Sequence, residues 1–511
     1  MTLLNRRDLL KSSAALSAGS LAVPTAMTAR SSTLSASVEN GPYKPFWNSL
    51  RNIPTPQWLR DGKFGIYTHW GIYSVPAYGK NGTWYAHDIY TNPDSDNYKH
   101  HVATYGPLDK FGYKDFIPMF TGSRFDPHEW AELFHNAGAR FAGPVAEHHD
   151  GFAMWNTKYS PWNAAKMGPK RDVVGELEVA YRARGMKFMT AFHHAAHWFY
   201  FPTWDNRYDV GDPRYSGLYG EIHPKGALPD KTFLDTWKGK LVEVVDNYDP
   251  DLVWFDFGLQ LIQQWYKKQF VAYYFNRAAR RGKDVTITYK WHDLTPGVGI
   301  YDLDLGQETE MTYAEWITDT TIDAGSGWGY VSALGFKSVS ELVTGLVDCV
   351  SKNGFLLLNV GPKPDGTIPD EAKERLRGIG DWLRVNGEAI YGTSPWLRAG
   401  EGPTHLAKNG PYNENSTLTY TPTDIRFTCR NEILYAAVLA WPGDKASITS
   451  FVPHGDTWAG LYPSEIASIQ MLGSDEPIEW EFTKEALELT TPREKPCNDV
   501  FVYKITLKPP F

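Results

Sequence analysis

Cysteine is almost missing from this chain: three of 511 residues, Cys349, Cys429 and Cys497, with no pair at metal or redox spacing. A disulfide-built scaffold is thereby excluded. Past the N-terminal segment, no stretch approaches the roughly 18 consecutive apolar residues of a membrane-spanning helix. A concentration of positive charge is also missing: the net charge is -8 and no basic run stands out, so neither nucleic acid nor an anionic membrane is an expected partner. Aromatic residues, in contrast, are abundant at 14%, with 20 Trp and 29 Tyr. Flat rings with polar tips suit amphipathic ligands, and they fill large cores equally well, so composition leaves both uses open.

The N-terminus carries Asn5-Arg6-Arg7-Asp8-Leu9-Leu10-Lys11, then a mildly apolar run from Ser12 to Ala22 and small residues around Ala26 to Ala29. Residues 1–30 resemble a twin-arginine export signal. The expectation is a protein delivered to the periplasm or secreted, already folded when exported.

A chain of this length is expected to hold two or three domains. Over residues 44–395, apolar strand-like runs alternate with amphipathic helices. Lys63 to Thr68 ends in His69, Arg140 to Glu147 ends in His148-His149, and Met186 to Phe192 ends in His193-His194. Between them, Asp126-Pro127-His128-Glu129 is a helix start, with an N-cap and a proline at the first position. The repeated strand-then-helix order predicts an α/β fold, a TIM-like (β/α) barrel or a distorted relative of one. Over residues 396–511 the runs become short and are separated by Gly, Pro and Asn, which predicts an antiparallel β-sandwich. Ser464 to Ile469 is the one helical candidate there.

The barrel pattern centres on Asp251 to Gly258, where Leu252-Val253-Trp254-Phe255 runs into Asp256. In parallel barrels the strand C-termini converge on one open face, so a carboxylate there looks into a pocket. His69, His148, His149, His193, Asp256 and Lys290 all stand at such ends. Singly, each reads as a hydrogen-bonded core or surface residue; together they predict one site. Clustered histidines raise the question of zinc. Adjacent residues on a strand point to opposite sides, so His148 and His149 share a metal only if the strand has already ended, and no HExxH pattern occurs. The expectation is no metal and no cofactor. Imidazoles and indoles around one carboxylate suit a polyhydroxylated ligand instead.

Several long motifs resemble the α-L-fucosidases of glycoside hydrolase family 29. They are Lys63 through Ala77, Glu147-His148-His149-Asp150-Gly151-Phe152-Ala153, Trp254-Phe255-Asp256, Trp316-Ile317-Thr318-Asp319-Thr320 with Gly327-Trp328-Gly329-Tyr330, and Ser351 through Pro362. The resemblance implies a retaining, exo-acting enzyme on fucosylated glycans, with Asp256 as nucleophile. It implies a sugar subsite of His69, Trp84, His148, His149, Trp254 and, more weakly, His193. Two departures touch that subsite: Thr83-Trp84-Tyr85 replaces the family's Glu-Trp-Tyr, and Lys290 stands where some relatives place Arg. The general acid/base departs too, because the aligned positions hold Ile317 and Asp304 rather than Glu. Asp304 is the first candidate and Glu308 the second, with Glu310 and Glu315 nearby in sequence. An α-L-galactoside is an alternative substrate, and a weakly catalytic sugar-binding protein is an alternative function. A second carboxyl roughly 5 to 5.5 Å from Asp256 separates a retaining hydrolase from such a binder.

Overall fold

The computed structural model describes residues 41–51, 53–414, 418–453 and 460–509. The twin-arginine-like segment lies outside them. Eight parallel strands close into a barrel in chain order: β1 Phe64–Thr68, β2 Phe141–Glu147, β3 Lys187–Phe192, β4 Leu252–Phe255, β5 Thr286–Tyr289, β6 Ile300–Asp302, β7 Trp316–Thr321 and β8 Gly354–Val360. The expected barrel is therefore complete and closed. β6 and β7 escape a hydropathy reading, because β6 has three residues and β7 is rich in Thr with an Asp in its middle.

Large side chains fill the barrel's interior, among them Tyr67, Phe141, Met189, Leu252, Trp254, Ile317 and Phe355. Gly65 makes room for one of them, since a Cβ there would lie 2.2 Å from the Phe141 ring. Helices cover the outside. In Pro127–Asn136 the Asp126 side chain accepts from the His128 and Glu129 amides, the predicted cap. Helix Lys231–Tyr248 buries Phe233, Leu234, Trp237, Leu241, Val244 and Val245 at three- and four-residue spacing. Among the described residues no helix is long and apolar enough to cross a membrane.

Beyond the barrel lie β9 Ser394–Glu401, β10 Ile425–Arg430, β11 Ile433–Val438, β12 Lys445–Ile448, β13 Ile466–Met471, β14 Trp480–Phe482, β15 Leu487–Thr490 and β16 Phe501–Leu507. They form a five-stranded sheet, ordered β13-β16-β11-β10-β9, and a three-stranded sheet, β12-β15-β14. All pairings are antiparallel. The helix expected over Ser464 to Ile469 is not formed. Pro463–Glu465 makes one 3-10 turn and β13 follows. An irregularity between Ile466 and Ser468 shifts the register, so Ile466 and Ile469 are buried three residues apart, as on a helix face, before strand alternation resumes at Met471.

Between β9 and β10 the chain returns to the barrel. The Tyr412 amide donates to the Asp304 carbonyl (2.9 Å) and that of Glu414 to the Leu305 carbonyl (3.0 Å). Gln307 bridges to Gly410, and its amide donates to Asn413 Oδ1 at 2.8 Å. This strap lies against the loop after β6.

Candidate active site

β4 carries a carboxylate at each end. Asp251, at the N-terminal end, accepts from the Phe188 amide (3.0 Å) and from Arg182 (2.8 Å), a structural pairing. Asp256, one residue beyond the strand, faces the cavity at the opposite end. Gly258 completes the turn after it with φ of +109°, and a Cβ there would lie 2.8 Å from the Ala196 amide. The cavity has a volume of about 390 Å³ and brings together Asp256, Asp304, Lys290, His69, His148, His149, His193, Trp84 and Trp254. The strand-end residues thus meet at one place.

Asp256 is 6% exposed. Its Oδ2 accepts from His193 Nδ1 at 2.8 Å and lies 3.2 Å from His149 Nε2. Its Oδ1 lies 3.1 Å from Lys290 Nζ. Burial pushes the carboxyl up, but the Lys290 ammonium, His193 and the histidine hydrogen bonds outweigh it and hold the group well below the ordinary carboxylate range. Asp256 therefore stays ionised, as a carboxylate nucleophile must.

Hydrogen bonds away from Asp256 orient two of the rings, His149 and His69. His149 Nδ1 donates to the His193 carbonyl (3.0 Å), which turns Nε2 towards Asp256. His69 Nδ1 meets Asn359 Oδ1 at 2.7 Å, and Asn359 Nδ2 donates to the Trp328 carbonyl. Burial lowers the pKa of His69 and His148 well below the ordinary value and that of His193 to about 4, so these rings are neutral. Four atoms around the cavity, His148 Nδ1, His193 Nε2, Trp254 Nε1 and Asp304 Oδ1, are buried without a hydrogen-bond partner among the described residues. Unpaired buried polar atoms are costly, and hydroxyl groups of a ligand would pair them.

β2 ends at Glu147, so His148 and His149 leave the strand and both rings turn to the cavity, with centroids 4.4 Å apart. The alternation that would separate them on a strand no longer applies. Nitrogens of His69, His148 and His193 approach within 4.8 Å of one another, as do ligand atoms of His149, His193 and Asp256. Either trio has the donor types to hold a cation. Lys290 beside Asp256 disfavours one at the second trio by like-charge repulsion.

Lys290, directly after β5, is 2% exposed and stands among four carboxyls. Its Nζ lies 3.0 Å from Asp304 Oδ2, 3.8 Å from Asp302 and 3.9 Å from Asp319. Burial works against its charge, and the surrounding carboxylates more than offset that, so its pKa is raised. One cation cannot balance all four acids. Burial and the neighbouring acids raise both Asp302 and Asp319, with Lys290 opposing, so protons are retained here.

Asp304 follows β6 and shares its inward face with Asp302, two residues earlier. Because the Asp256 and Asp304 oxygens both lie about 3 Å from one nitrogen, they are no more than about 6 Å apart. The other acids are not brought in. Glu308 lies outside the cavity lining, near Lys352, because the chain after Leu305 pairs with the strap and runs away from the mouth. Glu310 is exposed. Glu315 precedes β7, at the far end of the barrel, and pairs with Arg60 at 2.6 Å.

Sequence reasoning missed Asp319 and Tyr412 in the lining, together with Phe257, Trp291 and Trp328 as ring surfaces. Asp319 had a signal, its place inside the Trp316 to Thr320 motif. Tyr412 had none, since it sits in a polar stretch far along the chain. Leu305, Trp291, Trp328 and Tyr412 all adopt left-handed φ, between +46° and +55°. For bulky residues this backbone is strained, and such strain collects at functional sites.

The chain matches the family described as "Alpha-L-fucosidase" over residues 31–388, and the "Alpha-L-fucosidase C-terminal domain" over residues 415–506. This chain belongs to the α-L-fucosidase family. Human plasma α-L-fucosidase is 33% identical over 86% of this chain and 86% of its own length. Rat tissue α-L-fucosidase is 32% identical over 79% and 80% of the two chains. A Thermotoga maritima α-fucosidase structure in complex with fucose is 32% identical, with a TM-score of 0.72, and covers 91% of this chain and 100% of that one. The protein is accordingly a glycoside hydrolase of a retaining family, and the closed parallel barrel with antiparallel sheets behind it is consistent with that family's architecture.

Proposed function

We propose that this α-L-fucosidase removes terminal α-L-fucosyl residues from glycans by double displacement, with Asp256 as nucleophile and Asp304 as general acid/base. The observation that carries the reading is the Asp256–Lys290–Asp304 arrangement, an ionised carboxylate and a second carboxyl flanking one buried cation. The second carboxyl also disfavours a purely sugar-binding role.

In the first step an Asp256 oxygen attacks C1 of the sugar and the bond to the leaving oxygen breaks, with the Asp304 proton going to that oxygen. In the second, Asp304 takes a proton from water as the water attacks C1 and releases Asp256. His69, His148, His149 and His193 pair with hydroxyls. Trp84, Phe257, Trp291 and Trp328 offer ring faces suited to the apolar side and methyl group of a 6-deoxy sugar. A cavity closed below by the barrel's packed interior admits a chain end, which supports exo action. Residues 5–11, with their paired arginines, support export; cell fractionation that leaves all of the protein in the cytoplasm would refute it.

A panel of nitrophenyl glycosides tests the substrate. Release is expected from the α-L-fucoside above the α-L-galactoside and other sugars. In the Asp256→Ala variant, turnover is expected to disappear with the fold intact, and azide to restore some release. Retention of most activity by this variant would refute the assignment.

A further inference from the structure

Asp304 is shielded from the mouth of the pocket by a residue that does not belong to the barrel. Its Oδ2 accepts from the Tyr412 hydroxyl at 2.5 Å as well as from Lys290, and its Oδ1 is buried without a partner among the described residues. Asp304 is 5% exposed and Tyr412 is 58% exposed, though both line the same cavity. The phenol thus stands between the carboxyl and the open side. In an exo site the sugar fills the closed end, so the leaving oxygen points to the mouth, where the phenol is. An aspartate is also one methylene shorter than a glutamate, which leaves a gap for another group to span.

The strap holds Tyr412 there by several independent contacts. The amides of Tyr412 and Glu414 donate to the Asp304 and Leu305 carbonyls. Asn413 exchanges two bonds with Gln307, each 2.8 Å. The Glu414 carboxylate accepts from Thr320 and from Lys337, the latter at 2.9 Å. The residue keeps a left-handed φ of +55° under these restraints.

From this geometry we infer that Tyr412 is a catalytic residue, relaying the proton between Asp304 and the glycosidic oxygen; the inference rests on the reading of Asp304 as acid/base. In the first step the Asp304 proton passes to Tyr412 Oη while the phenol's own proton passes to the leaving oxygen. Asp256 forms its ester and the bond from C1 to the leaving oxygen breaks. The phenol ends neutral and Asp304 ends as carboxylate. In the second step water attacks C1, its proton passes to Tyr412 Oη, the phenol's proton returns to Asp304, and the ester bond to Asp256 breaks. Charge and protons balance in both steps. Burial raises the phenol's pKa, as does the Asp304 charge once that group is a carboxylate, so the phenol stays protonated through the cycle.

The test is Tyr412→Phe, which keeps the ring and removes only the hydroxyl. It is assayed beside wild type, Asp304→Ala and the double variant, on 2,4-dinitrophenyl and methyl α-L-fucosides. The relay predicts that Tyr412→Phe loses about 10²-fold in kcat/KM on the methyl fucoside and under about 3-fold on the dinitrophenyl one, whose leaving group needs no proton. It also predicts that the double variant is no slower than Asp304→Ala alone, because the two residues act as one unit. Equal losses on both substrates, no loss on either, or multiplying effects in the double variant would overturn the relay. A normal leaving-group dependence in Asp304→Ala would instead overturn the acid/base reading beneath it, and a wild type inactive on every α-L-fucoside would overturn the function itself.

Discussion

Asp256 and Asp304 start from the same chemistry, and their surroundings separate their roles. Lys290 and two histidines keep Asp256 ionised far below neutral pH, so its titration does not set the acidic limb of a kcat/KM profile. Activity falls on the alkaline side instead, as the general acid loses its proton, and Asp304→Ala is expected to flatten that alkaline limb; persistence of an unchanged alkaline limb would place the acid elsewhere. His69, His148 and His193 act as neutral hydrogen-bonding groups. Replacing His148 or His149 by Ala should lower kcat/KM about 10- to 100-fold, the scale of one lost bond to a buried polar partner, about 1–3 kcal/mol. Dialysis against a strong chelator should leave the wild type active. Loss restored only by zinc would show that the histidine trio binds a cation in function. At this scale the sequence was informative wherever a residue of the cavity terminates a hydrophobic run, as His69, His148, His193 and Asp256 do. Tyr412 was invisible because only folding brings position 412 to position 304, and Glu308 looked eligible because sequence proximity does not say which way a loop turns.

The strand ends that present these residues are themselves held by buried charges. Glu147 closes β2 immediately before His148, is completely buried, and accepts from Lys240 Nζ (2.7 Å) on helix Lys231–Tyr248 and from His194 Nδ1 (2.5 Å). Burial raises its pKa, but His194 and Lys240 outweigh that and lower it to about 2, from an ordinary 4.5. Because the folded-state pKa is depressed, this pairing stabilises the protein above about pH 4.5 and the contribution is lost as pH falls towards 2. Lys240→Met should therefore destabilise by about 3–5 kcal/mol at pH 7, the cost of a buried charge left short of its partner, and by less as the pH drops below 4.5. Chemical denaturation at several pH values measures it; a penalty constant with pH would contradict the ionic account. Elements were legible where amphipathic period and caps agree, as in the helix capped by Asp126. They were not where three-residue β6 is too short to show a pattern, or where the irregularity in β13 gave a strand the spacing of a helix.

Taken whole, the molecule joins barrel and β-sheets through polar as well as apolar contacts. Arg426 of β10 donates to Asp348 Oδ1 at 2.6 Å, and Asp348, on helix Val339–Ser351, also accepts from Lys352 at 2.6 Å. Trp382 in helix Asp370–Asn386 donates to the Val500 carbonyl at 2.9 Å. With the strap, these contacts couple the two parts, and a single calorimetric transition is expected. Arg426→Ala should cost about 1–3 kcal/mol, less than a fully unpaired buried carboxylate because Lys352 remains, and should begin to separate the transition into two; unchanged melting would contradict the coupling. In the proposed mechanism Asp256 forms a covalent bond to the sugar. Incubation with 2-deoxy-2-fluoro-α-L-fucosyl fluoride, followed by peptide mass spectrometry, measures that directly. The prediction is one 2-fluorofucosyl unit attached at Asp256, absent from Asp256→Ala; a label on another residue, or full inactivation without any label, would contradict it.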